Sequence, residues 1–195
     1  MDSETISSLL LNNTVLRNKF TGVIPCDYLP QFPLLPAMFV VNTQDSIQPG
    51  LHWIAINCPS DGGPIEVFDS FGAKPDNAHV LRFLNMYAHS KYNTIQLQNP
   101  FSNSCGLFAC LFLYFRGKGV SFDKFLGLFS NDLALNEKIA KEKFEKYILK
   151  QQKDKKKKKK DRSKKSFFGY GFFNNKRALY NVSCNQICKC LAVNQ

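Results

Sequence analysis

Apolar positions change period several times along the first 150 residues, and each change predicts a new element. Behind a polar start, Ile6, Leu9 and Leu10 fall on one face, which predicts a short amphipathic helix over residues 3–11. The next stretch, residues 20–30, contains Gly22, Pro25 and Pro30 and reads as irregular chain. Three strand-like runs follow at 37–42, 52–57 and 65–69. They are punctuated by Gln48-Pro-Gly50 and by Pro59-Ser-Asp-Gly-Gly63, which predicts a meander or hairpin. A helix is expected over 75–89, where Val80, Leu84 and Tyr87 share a face, and a further strand over 94–98.

The run from Gly106 to Phe115 is apolar on all sides, so as a helix it has to be buried. Two more helices are expected, at 121–129 and 132–150. The second carries Glu137/Lys141 and Glu142/Lys146 pairs at i,i+4 on its wet side. Beyond Lys150 the periodicity fails, and no internal repeat is found.

A chain of 195 residues with 44% hydrophobic content can bury one sizeable core. The expected organisation is a folded body over 1–150, a lysine-rich linker over 151–166, and a poorly ordered aromatic and cysteine-containing tail over 167–195. The formal charge of +11 sharpens this division. Residues 1–152 hold 13 basic and 13 acidic side chains, whereas 153–165 hold 10 basic against Asp154 and Asp161. The body is therefore neutral and the excess lies in the tail. Non-specific nucleic-acid contact through 153–165 is one reading of that run, and a solvated linker is the plain one. Phe167 to Phe173 could supply stacking rings beside it.

The acidic N-terminus lacks the positive region of a signal peptide, and no apolar run reaches the roughly 20 residues that span a bilayer. The expectation is an intracellular protein without membrane attachment, cytoplasmic or nuclear, or virion-associated. Seven cysteines at irregular spacing in such a chain read as reduced thiols. Cys26, Cys58 and Cys110 read as fillers of small apolar sites. Cys184, Cys188 and Cys190 lack a fourth ligand nearby, so no metal is expected.

Three stretches carry candidate chemistry: Leu51-His52-Trp53, Phe68-Asp69-Ser-Phe-Gly72, and Gln98 followed by Asn103-Ser104-Cys105-Gly106. Cys105 precedes the buried helix, where free backbone N–H groups favour a thiolate and can face a developing oxyanion. His52 opens one strand and Asp69 ends the next, so a hairpin would bring the carboxylate to the far ring nitrogen and fix the tautomer. Gln98 can offer an amide as a second oxyanion donor. Each residue has a plain reading: a small buried thiol, a satisfied strand histidine, a turn aspartate. The joint arrangement carries the weight.

These residues resemble the adenovirus-type cysteine endopeptidases (adenains) and their relatives in large DNA transposons and viruses. Phe20-Thr-Gly-Val, Asp27-Tyr-Leu-Pro30 and Phe39-Val-Val-Asn42 extend the resemblance, which covers about residues 20–115. The wider clan includes SUMO- and ubiquitin-like-modifier proteases with the same order of His, Asp, Gln and Cys. The resemblance implies an α+β fold, with a mostly antiparallel central sheet packed against helices. It also implies an acyl-enzyme route: Cys105 as nucleophile, His52 as base, Asp69 orienting His52, and Gln98 with the Cys105 N–H binding the oxyanion.

Protein or peptide substrates follow, in viral or transposon precursor processing. Adenoviral relatives are stimulated by DNA and by a disulfide-joined peptide, but no cysteine here matches the peptide-binding one, so no cofactor or activating peptide is assigned. Three readings compete with the endopeptidase: a modifier isopeptidase, a catalytically silent binding module, and a tail-driven nucleic-acid-binding protein.

Overall fold

The computed structural model describes residues 1–149. The lysine run and the aromatic and cysteine-containing tail singled out above lie outside the described residues. Helix α1 (Ser3–Leu11) is N-capped by Asp2, whose carboxylate accepts the Thr5 N–H at 2.7 Å. Strands β1 (Phe20–Pro25), β2 (Ala37–Asn42), β3 (Trp53–Cys58), β4 (Ile65–Phe68) and β5 (Ser90–Tyr92) form one sheet in the order β1-β2-β3-β4-β5. Helices α2 (Ala78–Leu84), α3 (Cys105–Gly117), α4 (Phe122–Leu126) and α5 (Leu133–Phe144) complete the described chain, with a 3-10 turn over Cys26–Tyr28 and a π-turn over Glu145–Leu149.

The central pairs β2–β3 and β3–β4 are antiparallel, as the hairpin signals predict, but the edge pairs β1–β2 and β4–β5 are parallel. The cause is connection length: antiparallel neighbours need only a tight turn, whereas a parallel return needs a crossover. Residues 69–89, containing α2, provide that crossover at one edge.

Two strand assignments change. Residues 20–25, expected to be irregular, form β1: the register slips between Phe20 and Gly22, and Pro25 closes the strand at the sheet edge, where its missing N–H costs least. The strand expected at 94–98 is instead β5 at 90–92. The chain from Asn93 onward turns away from the sheet and is fixed by the Ser70 carbonyl, which accepts from Leu97 N–H at 2.8 Å and Gln98 N–H at 2.9 Å. Helices α2 and α4 are also shorter than their apolar patterns suggest.

Alternation along the strands divides the core in two. Met38, Val40, Ala55 and Phe68 face one layer with α1, α3, α4 and α5, while Phe39, Val41, Ile54, Ile56 and Val67 face another with α2. Helix α3 is enclosed, as its apolar sequence requires. Phe112 lies at its centre, stacked on Phe68 at 4.9 Å between ring centroids and meeting Phe122 and Phe125 edge-on. Glu66 and Arg116 are paired at 2.5 Å between β4 and α3, with the Asn57 amide also donating to Glu66 at 2.7 Å. No helix among the described residues is long and apolar enough to cross a membrane.

Because Phe112 joins α3 to the sheet and to α4, Phe112→Ala should lower the unfolding free energy by about 3–5 kcal/mol. Urea unfolding followed by circular dichroism measures this. A loss below about 1 kcal/mol would mean that the ring cluster is not central to the fold.

Candidate active site

His52 immediately precedes β3 and extends its pairing with β2, because its carbonyl accepts the Thr43 N–H at 3.0 Å. Asp69 immediately follows β4, whose last residue pairs with Ala55. The antiparallel register therefore brings both side chains to the same end of the sheet. His52 Nε2 lies 2.8 Å from Asp69 Oδ1. The Phe71 ring stacks on the imidazole at 4.8 Å and restricts its rotation.

Asp69 is itself tightly held. Its Oδ1 accepts the Phe71 N–H at 2.7 Å, and its backbone is gripped from both sides by Asn93. Asn93 Oδ1 accepts the Asp69 N–H at 2.9 Å, and Asn93 Nδ2 donates to the Asp69 carbonyl at 2.6 Å. Gly72 closes the turn with φ +68°, and a Cβ there would lie 2.5 Å from the Ile95 carbonyl carbon. Only glycine combines that dihedral with so close an approach, and the approach is what lets residues 95–98 run beside the Asp69 turn.

Cys105 is the first residue of α3 and is 9% exposed. Ser104 does not cap the helix with its side chain, so the first-turn N–H groups stay free of a capping oxygen. The helix start can press against β3 because residue 106 is glycine: a Cβ there would lie 3.2 Å from the Trp53 ring and 3.1 Å from Ile6. A cleft of about 420 Å³ opens at Trp53, between residues 1–3, the end of β1 and the loop before His52.

Electrostatics separate Cys105 from the other described thiols. Burial raises the pKa of Cys58 to about 12 and also pushes up Cys110; at Cys26, burial and the Asp45 carboxylate act in the same direction. Cys26 is less apolar than expected, with Sγ 3.2 Å from Asp45 Oδ1 and 3.3 Å from Asn77 Nδ2. Burial opposes ionisation at Cys105 too, but hydrogen bonds from His52 and from the Trp53 and Gly106 N–H groups outweigh it and lower its pKa. At His52, burial favours the neutral ring, yet Asp69 and Cys105 together raise its pKa from 6.5 to about 9. Both shifts act in one direction, toward thiolate at Cys105 and imidazolium at His52.

The structure thus brings His52, Asp69 and Cys105 together. Gln98 is buried between the Asp69 turn and the loop entering α3. Its Oε1 accepts from Ser70 Oγ at 2.6 Å, and its Nε2 donates to the Ser102 carbonyl at 2.7 Å, which leaves one amide N–H for another acceptor. Sequence reading missed Asn93, Ser70 and Phe71, which position these groups. The two residues after Asp69 lie within the Phe68–Gly72 stretch, whereas Asn93 gives no local signal.

Residues 20–127, more than half of the chain, match the adenovirus endoprotease family. The chain is 30% identical over 139 residues to the protease of fowl adenovirus A serotype 1 (strain CELO / Phelps), covering 63% of this chain and 64% of that protein. It is 27% identical over 131 residues to the protease of ovine adenovirus D serotype 7 (isolate OAV287), covering 57% and 63%. These matches span less than two thirds of either relative. The crystal structure of the ASFV pS273R protease has the same fold, with a TM-score of 0.53 and 19% identity over 75% of this chain and 66% of that one. The chain belongs to the adenovirus endoprotease family.

Since Asp69 helps to keep the His52 proton, Asp69→Asn should move the imidazole pKa down from about 9 toward 6.5. Sign and cause agree: the substitution removes an attraction for the cation while the burial that favours the neutral ring remains. Titration of the ring nitrogens by NMR reads the shift. An unchanged midpoint would show that Asp69 does not set the protonation of His52.

Proposed function

We propose that this protein is a cysteine endopeptidase using Cys105, His52 and Asp69, with Gln98 as an oxyanion donor. The observation that carries the reading is the contrast among thiols. Cys105, at a helix start against His52, has its pKa lowered, while Cys26, Cys58 and Cys110 all have theirs raised. A thiol serving only as core filler needs no such environment.

In the proposed reaction, the Cys105 thiolate attacks the carbonyl carbon of the scissile peptide bond. The carbonyl electrons move onto oxygen, which the Cys105 backbone N–H and the spare N–H of Gln98 bind. His52 gives its proton to the departing amine as the C–N bond breaks, leaving an acyl-enzyme thioester. Neutral His52 then takes a proton from water as that water attacks the thioester; the C–S bond breaks, the acyl group departs as a carboxylic acid, and Cys105 leaves as the thiolate beside the imidazolium. Asp69 keeps the imidazole oriented through both halves. Family membership and viral relatives favour processing of viral or transposon precursor proteins, and the folded body is proposed to occupy residues 1–150.

An electrophilic thiol probe at neutral pH should label Cys105 ahead of the other cysteines, as mapped by mass spectrometry. Cys105→Ala should remove peptide cleavage while leaving the circular dichroism spectrum intact, because buried Cys packs as a small apolar group. Gln98→Ala should lower kcat by about 10²- to 10³-fold with little change in KM. Full turnover by a folded Cys105→Ala protein would overturn the assignment. A raised KM at constant kcat in Gln98→Ala would make that residue a substrate contact.

A further inference from the structure

Glu137 lies on α5, beyond the residues that match the family, and its sequence context suggests a solvated i,i+4 pair with Lys141. The structure turns it instead toward the loop that enters α3. One oxygen, Oε1, accepts from Ser102 Oγ at 2.5 Å and from the Asn99 N–H at 3.3 Å, and Oε2 accepts from Ser104 Oγ at 2.6 Å. A single half-buried carboxylate thus gathers three donors from residues 99–104.

Two of these bonds bear on the chemistry. Ser102 is held twice: its hydroxyl by Glu137 and its carbonyl by the Gln98 amide, so the chain Glu137–Ser102–Gln98 fixes the amide proposed to face the oxyanion. Ser104 directly precedes α3, where a serine hydroxyl commonly accepts first-turn N–H groups. Here that hydroxyl is given to Glu137 and makes no capping bond, so the N–H groups at the start of α3 stay available to a developing oxyanion.

We propose that Glu137 is a positioning residue that clamps the 99–104 loop, aligning Gln98 and the Cys105 N–H as oxyanion donors. This inference rests on the active-site reading above. It separates two reactions of the same sulfur. Acylation by p-nitrophenyl acetate forms the Cys105 thioester, expels p-nitrophenolate and passes through an oxyanion. Alkylation by iodoacetamide displaces iodide at a saturated carbon and builds no oxyanion.

The test follows both reactions on the Cys105 peptide by mass spectrometry. Glu137→Leu should slow acylation by about 10- to 100-fold, the scale of a misaligned oxyanion donor, while alkylation changes by less than about 3-fold. Glu137→Gln should recover most of the acylation rate, because Ser102 or Ser104 can accept from its amide in place of donating. In a Gln98→Ala background, Glu137→Leu should cost much less than it does alone, since coupled residues are not additive. Should Glu137→Leu fail to fold, Ser102→Ala cuts the same chain and should give the same split. Equal slowing of both reactions, or unchanged acylation, overturns the inference while the active-site reading stands. A wild-type protein whose Cys105 is not acylated overturns both.

Discussion

A sulfur buried at the start of a helix can hold negative charge only if something nearby compensates for lost water. At Cys105 that compensation comes from the His52 ring and from N–H groups of Trp53 and Gly106. The contact requires α3 to begin against the first residue of β3, and much of the fold serves that approach. Gly106 removes the side chain that would hold helix and strand apart. Phe112 anchors the helix to the sheet through Phe68, and the Glu66–Arg116 pair ties its far end to β4. The antiparallel register of β3 and β4 then delivers Asp69 to the other side of the same ring.

Elements with strong patterns were legible in the sequence: the amphipathic α1, the short apolar runs of β2, β3 and β4 between turn signals, and the apolar run of α3. Burial follows directly from these patterns, but the expectation was of one core, and its division into two layers by the sheet came from the structure. The edges of the sheet were not. Strand β1 contains Gly22 and Pro25, which argue against a strand until one sees that an edge position tolerates both. The stretch 94–98 alternates like a strand but is captured by the Ser70 carbonyl, a tertiary bond with no local trace. Helix lengths were overestimated mainly at the C-terminal ends: α2 stops at its Asn85 cap although Tyr87 continues the same apolar face.

The candidate site was legible for a different reason. His52, Asp69, Gln98 and Cys105 sit next to unusual neighbours in short stretches, and reading them together needs only the order of strands and helix. Their supports could not be read this way. Asn93 grips Asp69 from 24 residues away, and Glu137 reaches the Ser102–Ser104 loop from a helix that follows it. On a linear helical pattern Glu137 belongs to the wet face, because periodicity cannot show that another loop covers that face. Residues proposed to react were visible as local motifs, while residues that hold them in place became visible only through tertiary hydrogen bonds.

In the proposed mechanism Cys105 and His52 react as a thiolate–imidazolium pair. This claim is tested most directly by following thiolate ultraviolet absorbance against pH, taking the difference between the wild-type protein and Cys105→Ala. The account predicts a thiolate signal from Cys105 already present near neutral pH, below the ordinary thiol value of about 8.5, and its displacement upward in His52→Ala. A difference signal that appears only at or above that ordinary value, and does not respond to loss of His52, would contradict the account.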